Sequence, residues 1–430
     1  MSSYHVVPRN GPINSLVRVP GSKSITNRAM ILAALANGTS TITGALASED
    51  TQVMTEALGT LGYHIETNAN GDTITIEGQS GSIPAATATL NLANSGTSIR
   101  FLAALCSLGS GRYYLDGTDR MRQRPQGPLL QGLQQLGVDA YAEVGNGCPP
   151  FVIQSTGWKN GKCLLDARAS SQFISALLMA APAAGREITI RASEEFRPLY
   201  VSITTDMMMQ WGVKVVTPNA GTWCIPAGQQ YSAMPGYHVE PDASAASYFF
   251  AAAALTGGTV TISGLTKAAM QGDIRFATEV LPSMGCTTEE TAEGICVTGP
   301  AHGLLQGIDV DMSLISDTSL TLAALAPFAS GPTRVRGIAH SRLQECDRIR
   351  AAVTEVRKLG ARAEEYEDGW QIWPSESLHG AEIETYNDHR VAMSFGLAGL
   401  KVPGVTILNP ACVGKTFPGY WQALEGLYPR

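Results

Sequence analysis

Positively charged and hydroxyl side chains recur where alanine-rich segments of this sequence begin. The first segment carries Lys23, Ser24 and Arg28, and the second carries Gly96 and Arg100. At a helix N-terminus the backbone N–H groups lack intrahelical partners and the helix dipole is positive, so anions bind there. Ser24 and Arg28 are four residues apart and therefore share one helix face. These residues predict a site for phosphate or carboxylate groups.

More residues of this kind follow later in the chain. They are the cations Arg124, Arg348, Arg390 and Lys415 and the polar run Ser170, Ser171 and Gln172. Two acids among them, Asp317 and Glu345, are candidates for proton transfer. The chain as a whole has a net charge of −7, so this local concentration of cations predicts a pocket for more than one anionic group.

A structural interpretation of the same residues is also open. Ser24, Thr97, Ser170 and Asp317 belong to the residue types that cap helix N-termini without binding any ligand. Arg100 is as compatible with a surface or interhelical position as with ligand contact. We favour the functional interpretation because the two acids occur together with the cations.

The alanine-rich segments belong to a long internal repeat. A glycine that opens a short β-like run recurs at intervals of 73, 74, 73, 73 and 73 residues, at Gly38, Gly111, Gly185, Gly258, Gly331 and Gly404. The segment before each glycine has helical spacing, and in the first segment Ile25, Ala29 and Leu32 lie on one face, which predicts a buried amphipathic helix. A second helical segment follows, and usually ends in a turn such as Leu61-Gly62. The sequence therefore predicts six α/β units of helix, strand, helix and further strands.

Units of this size cannot bury both of their faces alone, so we expect them to be grouped. The prolines and glycines at 20–21 and 235–241 suggest two hinges. We therefore predict one lobe of three units at 21–236 and a second lobe of three units at 237–430, completed by residues 1–20.

Composition excludes several classes of function. A chain of 430 residues with 44% hydrophobic residues can form two or more domains. Its acidic balance argues against a general nucleic-acid binder, and no run of about 18 apolar residues suggests a membrane span. The eight cysteines are scattered, and no targeting segment is evident at the start. We expect a cytoplasmic monomer with free thiols, without a metal or a nucleotide cofactor, since the corresponding motifs are missing.

In its most specific motifs the sequence resembles the 5-enolpyruvylshikimate-3-phosphate synthases of the enolpyruvyl transferase family. The motifs cover essentially the whole chain and are Pro20-Gly-Ser-Lys-Ser-Ile-Thr-Asn-Arg28, Asn94-Ser-Gly-Thr-Ser-Ile-Arg100, Arg122-Gln-Arg-Pro125, Ser170-Ser-Gln-Phe173, Gln271-Gly-Asp-Ile-Arg275, Tyr386-Asn-Asp-His-Arg390 and Lys415-Thr-Phe-Pro418. The resemblance implies an inside-out barrel fold of two lobes that closes on its substrates. It also implies transfer of enolpyruvyl from phosphoenolpyruvate to shikimate 3-phosphate, the step of aromatic amino acid and chorismate biosynthesis that glyphosate targets.

The resemblance also implies roles for individual residues. The shikimate 3-phosphate set is Lys23, Ser24, Arg28, Ser170, Ser171, Gln172, Tyr200, Asp317 and Gln344. The phosphoenolpyruvate set is Lys23, Gly96, Arg124, Gln172, Arg348, Arg390 and Lys415. Asp317 matches the family's proton acceptor, and Glu345 and Lys23 are the further catalytic candidates.

Three positions depart from the family's usual residues. The family usually has Lys where this chain has Gln344, Asn where it has His340, and commonly Ser near Arg197. All three lie on the acceptor side, so a lost cation there predicts either compensation or weaker acceptor binding. The alternatives are therefore enolpyruvyl transfer to UDP-N-acetylglucosamine, or a non-catalytic relative that binds anions. A cysteine that the sugar-nucleotide family tends to carry is missing from the Arg120–Arg124 loop.

Overall fold

The computed structural model describes residues 2–9, 11–193 and 199–427, and it divides into two compact units of mixed α/β structure. The central unit is Gly21–Val239, and the terminal unit combines Met1–Pro20 with Glu240–Arg430. Arg197 lies outside the described residues.

The helices follow the expected alternation of alanine-rich and second segments. In the central unit they are α1 (Lys23–Leu35), α2 (Glu49–Thr60), α3 (Gly96–Cys106), α4 (Gly127–Gln135), α5 (Gln172–Ala180) and α6 (Leu199–Gln210). In the terminal unit they are α7 (Ala243–Thr256), α8 (Leu281–Ser283), α9 (Ser319–Leu325), α10 (Arg348–Lys358), α11 (His389–Ala398) and α12 (Tyr420–Glu425).

The strands form five four-stranded sheets and one three-stranded sheet among the described residues. The central unit contains β3 (Asn37–Thr43), β4 (Ile65–Thr67), β5 (Thr73–Gln79), β6 (Thr87–Asn91), β7 (Ser110–Asp116), β8 (Asp139–Ala142), β9 (Phe151–Thr156), β10 (Lys162–Leu165), β11 (Ile188–Ala192), β12 (Val216–Asn219), β13 (Thr222–Ile225) and β14 (Tyr237–His238). The terminal unit contains β1 (Ser3–His5), β2 (Asn14–Val17), β15 (Thr259–Ser263), β16 (Thr287–Glu290), β17 (Gly294–Thr298), β18 (Asp309–Asp311), β19 (Thr333–Arg336), β20 (Ala363–Tyr366), β21 (Gly369–Ile372), β22 (Glu382–Ile383) and β23 (Thr406–Leu408).

The five four-stranded sheets share one topology, and the three-stranded sheet repeats its first three strand positions. In the first sheet, β14 pairs in parallel with β3, β3 pairs antiparallel with β5, and β5 pairs antiparallel with β4. The strand beside each repeat glycine always takes the place of β3. In the terminal unit, residues 1–20 supply β2, which pairs in parallel with β15, and β1, which pairs antiparallel with β23. The repeat in the sequence is therefore a repeat of sheet topology.

The alanine-rich helices form the centre of each unit. In the central unit α1, α3 and α5 contact one another, and α1 also contacts β3 and β5. Every residue of α1 from Ile25 to Leu35 is buried. The predicted burial of α1 is therefore confirmed, but it extends around the whole helix, because α2, α3, α5, α6, β3 and β5 all contact α1. Small alanine side chains allow such close packing on all sides.

The turns after the second helices were predicted correctly. Gly62, Gly137, Gly212, Gly285 and Gly360 all have a positive φ, between 87° and 99°. Glycine is favoured there because a side chain strains this left-handed conformation at a helix C-terminus. All eight cysteines are free. In the described part of the chain, no helix is both long and apolar enough to cross a membrane.

Candidate active site

The central unit brings the starts of its alanine-rich helices together. The Arg100 Nη1 on α3 donates to the Gln172 Oε1 at the start of α5, at 2.8 Å, and the Gln172 Nε2 donates back to the Thr97 Oγ1 at 3.4 Å. Arg100 therefore orients the Gln172 amide and links α3 to α5, in addition to supplying a positive charge. We call Lys23, Arg28, Arg100 and Arg124 the cation cluster.

Arg28 is a buried cation with neutral partners. Its side chain is 1% exposed, and it donates to the Thr204 hydroxyl at 2.8 Å and to the backbone carbonyls of Ser24 and Tyr200 at 2.9 and 3.2 Å. Its Cζ lies 5.2 Å from the centroid of the Phe101 ring. Burial lowers the pKa of Arg28 to about 10, so the guanidinium stays charged at neutral pH. Among the described residues no carboxylate forms an ion pair with it, which leaves its charge for a bound anion.

Arg124 is held beside the first turn of α3. Its Nη1 donates to the backbone carbonyl and the side-chain oxygen of Asn94, at 3.1 and 3.3 Å. A Cβ at Gly96 would collide with the Arg124 guanidinium. Glycine at position 96 therefore lets the cation approach the N-terminus of α3, where both favour an anion.

The capping interpretation was wrong for two of its residues. The N-caps of α1 and α3 are Ser22 and Ser95, whose hydroxyls accept backbone hydrogen bonds at 3.3 and 3.4 Å. Ser24 and Thr97 lie inside the first turns, because each helix begins two residues earlier than a cap at those positions would require.

The start of α5 and the side chain of Lys23 have local partners. Ser170 does accept a hydrogen bond, from the Gln172 backbone at 3.2 Å, whereas Ser171 occupies the N-cap position without a side-chain cap bond. Lys23 pairs with Asp50 at 3.3 Å. Sequence reasoning missed Asp50, which lies far from any motif.

In the terminal unit, one guanidinium holds both candidate acids. The Arg348 Nη1 lies 3.1 Å from the Asp317 Oδ1, and the Arg348 Nη2 lies 2.9 Å from the Glu345 Oε2. The Arg348 Nε lies 2.7 Å from the Asp388 Oδ2. Asp317 lies in the 3₁₀ turn Ser316–Thr318 before α9, so the capping interpretation was wrong for it as well.

Two more cations complete what we call the ion-pair network of Asp317, Glu345, Arg348, Asp388, Arg390 and Lys415. The Arg390 Nη2 lies 2.7 Å from the Asp317 Oδ2, and the Lys415 Nζ lies 2.8 Å from the Glu345 Oε1. Every carboxylate oxygen of Asp317 and Glu345 therefore contacts a cation. Asp388 belongs to the Tyr386–Arg390 motif but received no role from the sequence. It caps α11 through the Arg390 backbone N–H at 2.9 Å and also binds Arg348.

A buried acid beside this network was missed. Asp273 belongs to the Gln271–Arg275 motif but received no role, and it is 1% exposed. Burial, followed by the charge of Asp317, raises the pKa of Asp273 to about 7. The sequence contains no signal for this, because Asp273 and Asp317 are 44 residues apart (317 − 273).

Two of the departing positions lie in the same region. The Gln344 Oε1 accepts a hydrogen bond from the Arg348 Nη1. The His340 Nε2 lies 2.9 Å from the Ser316 Oγ, next to Asp317 in the chain, and burial lowers the pKa of His340. Gln344 therefore replaces a cation by an acceptor that helps to hold Arg348.

The described residues offer no group of three or more His, Cys, Asp or Glu side chains that could hold a metal ion. The two sets of charged groups can instead bind anions directly and move protons.

Comparison with known proteins agrees with this fold and chemistry. The family model of EPSP synthase (3-phosphoshikimate 1-carboxyvinyltransferase) matches residues 7–424. The 3-phosphoshikimate 1-carboxyvinyltransferase of Nostoc punctiforme is 46% identical over 98% of each chain. The chloroplastic enzyme of Arabidopsis thaliana is 42% identical over 96% of this chain and 82% of its own length. The structure of EPSP synthase from Acinetobacter baumannii matches with a TM-score of 0.81 at 28% identity, over 99% of this chain and 98% of the other.

The repeated sheet topology, the helix N-termini lined with cations and the match of the family model together indicate the class of the enolpyruvyl transferases. Within that class, the chain belongs to the EPSP synthase family, the 3-phosphoshikimate 1-carboxyvinyltransferases. The match does not favour the alternative acceptor UDP-N-acetylglucosamine.

Proposed function

We propose that this chain transfers the enolpyruvyl group of phosphoenolpyruvate to the 5-hydroxyl of shikimate 3-phosphate and releases inorganic phosphate. The observation that carries the proposal is the ion-pair network, in which Arg348 holds Asp317 and Glu345 on neighbouring nitrogens. The reaction needs two separate proton-transfer groups, and this arrangement supplies both within one rigid set of ion pairs.

Asp317 accepts the proton of the attacking hydroxyl. Glu345 delivers a proton to C3 of phosphoenolpyruvate, which leaves positive charge at C2, where the hydroxyl oxygen forms the new C–O bond. Glu345 then removes a proton from C3, and the C–H bonding pair forms the C2=C3 double bond as phosphate leaves with the C2–O bonding pair. Lys415 lies 2.8 Å from Glu345 and is the nearest described cation that can share a proton with it, and Lys23 is a second acid group.

The anions are bound by the cations and helix N-termini. Ser24, Arg28, Ser170, Ser171, Gln172 and Tyr200 bind shikimate 3-phosphate, together with Lys23, Asp317 and Gln344. Gly96, Arg124, Arg348, Arg390 and Lys415 bind phosphoenolpyruvate, together with Lys23 and Gln172. Arg28 supports this division because its buried charge has only neutral partners among the described residues. Charge-assisted hydrogen bonds to phosphate are about twice as strong as neutral ones.

We further propose that the enzyme works as a cytoplasmic monomer without a cofactor and that hinges near 20–21 and 236–241 join its units. The acidic composition and the free cysteines support the compartment.

The test is phosphate release from phosphoenolpyruvate with shikimate 3-phosphate or UDP-N-acetylglucosamine as acceptor. We expect release only with shikimate 3-phosphate. Release only with the sugar nucleotide would assign the other acceptor, and no release with either would favour a non-catalytic anion binder. Ligand-induced shifts of Tm for each substrate separate failed binding from failed chemistry.

A further inference from the structure

The segment that leads into α11 has an unusual backbone. Tyr386 and Asn387 are consecutive non-glycine residues with φ of +53° and +54°. Asparagine tolerates this left-handed conformation, but a tyrosine rarely adopts it and must be held there by its surroundings. The next residues are Asp388 and Arg390 of the ion-pair network, so the strained pair sets their direction.

A buried carboxylate on α10 holds this segment. Glu355 is 0% exposed. Its Oε1 accepts from the Tyr386 hydroxyl at 2.6 Å, and its Oε2 accepts from the Glu384 backbone N–H at 3.1 Å. The Lys358 Nζ lies 2.9 Å from the same Oε2 and balances the charge. Glu355 thus holds both the backbone before the strained pair and the side chain of its first member.

The same helix contacts the segment a second time. Arg348 lies seven residues before Glu355 on α10, two turns along one face, and it binds Asp388 through Nε at 2.7 Å. On the far side, the Asn409 Nδ2 donates to the Asn387 Oδ1 at 3.1 Å. Residues 384–388 are therefore held by Glu355, Arg348 and Asn409, and the first two of these residues lie on α10.

Arg390 depends on this attachment. Its backbone N–H donates to Asp388, and its Nη2 contacts Asp317 at 2.7 Å. Rotation of the strained pair would therefore move both the carboxylate that holds Arg348 and the cation that holds Asp317.

We propose that Glu355 is a positioning residue, which holds the Tyr386–Asn387 turn and thereby fixes Asp388 and Arg390 in the ion-pair network. It touches no reacting group. This inference rests on the proposed function, in which Arg390 binds phosphoenolpyruvate.

Steady-state kinetics of Tyr386→Phe, Glu355→Gln and Glu355→Ala test the inference. The first removes a single hydroxyl and leaves the fold little affected. We expect the KM for phosphoenolpyruvate to rise about three- to tenfold in Tyr386→Phe and more in Glu355→Ala, with partial rescue in Glu355→Gln, because the first variant loses one of the hydrogen bonds to the Glu355 carboxylate and the second loses them all. The KM for shikimate 3-phosphate should change less than twofold.

Tyr113→Phe is the matched control, since it also removes one tyrosine hydroxyl, which donates to the Ala85 carbonyl at 2.8 Å in the central unit. It should lower Tm and leave both KM values unchanged. An unchanged KM for phosphoenolpyruvate in both Tyr386→Phe and Glu355→Ala would overturn the inference. An inactive wild-type enzyme would instead overturn the proposed function, and shifts of Tm with phosphoenolpyruvate alone would then still report whether Glu355 affects its binding.

Discussion

The cation cluster of the central unit and the ion-pair network of the terminal unit hold their positive charges in different ways. Arg28 is buried among hydroxyls and carbonyls, and Arg124 donates to an asparagine. Arg348 and Arg390 are equally buried, but each contacts carboxylates. Lys23 is the exception in the cluster, because it pairs with Asp50.

This difference separates two tasks. Buried cations with neutral partners are costly until an anion arrives, so their electrostatic attraction is available for ligand binding. Cations paired with carboxylates hold those acids in place, and the carboxylates compensate the positive charge even when no ligand is bound. Under the proposed function, the cation cluster supplies binding affinity, whereas the ion-pair network combines phosphoenolpyruvate binding with proton transfer.

The largest effect is expected from Asp317→Asn, which keeps the shape of the side chain but removes the proton acceptor. Turnover should fall about 10²- to 10⁴-fold, while the shift of Tm with shikimate 3-phosphate should persist. Phosphate release over time measures turnover. The control variant is Asp309→Asn, at an exposed aspartate of the same unit. Turnover within threefold of wild type in Asp317→Asn would remove this residue from the mechanism.

Arg348→Met tests how much the ion-pair network stabilises the fold. It leaves the fully buried Asp388 carboxylate without its guanidinium, and breaking a buried pair in this way costs about 3–5 kcal/mol. Urea unfolding should show that loss of free energy of unfolding. A loss below about 1 kcal/mol would mean that the network stabilises the fold little.

Arg28→Met tests a buried cation with neutral partners, since Arg28 has no carboxylate partner among the described residues. We expect a smaller loss of stability than in Arg348→Met, together with affinity for shikimate 3-phosphate weakened about 10- to 100-fold. Titration calorimetry measures the affinity, and Arg191→Met, at an exposed position, should leave it unchanged. If Arg28→Met lowered stability as much as Arg348→Met and left affinity intact, the comparison would fail.

The smallest effect is expected in the pH dependence of stability that Asp273 contributes. Its pKa is raised from 3.8 to about 7, so between these values the folded protein holds a proton that the unfolded chain has lost. Stability should therefore fall as pH rises through this window. Asp273→Asn should flatten that decline in urea unfolding at pH 5 and pH 8. An equally steep decline in the variant would assign the pH dependence to other groups.

Much of the fold could be predicted because short residue patterns within each unit, such as its glycines, indicate the repeat. Gly62 and Gly360 mark turns that only glycine adopts easily, and the β-like run at Gly38 forms β3. The burial of α1 was predicted, but its extent around the helix was not, because periodicity in one segment does not show how many neighbours surround the helix. Likewise, capping by Ser24 and Thr97 stayed open as an alternative, since helix starts are poorly fixed by residue type alone.

The sequence by itself determined the repeat, the helix starts rich in cations, and the family motifs that contain Lys23, Arg124 and Lys415. These are local patterns, and the chain alone specifies them. Only the tertiary structure decided that Arg348 joins Asp317 to Glu345, that Asp388 and Asp273 belong to the same region, and that Arg28 has neutral partners. Such contacts join residues that are distant along the chain, and their energies depend on burial, which is a property of the packed molecule rather than of any segment.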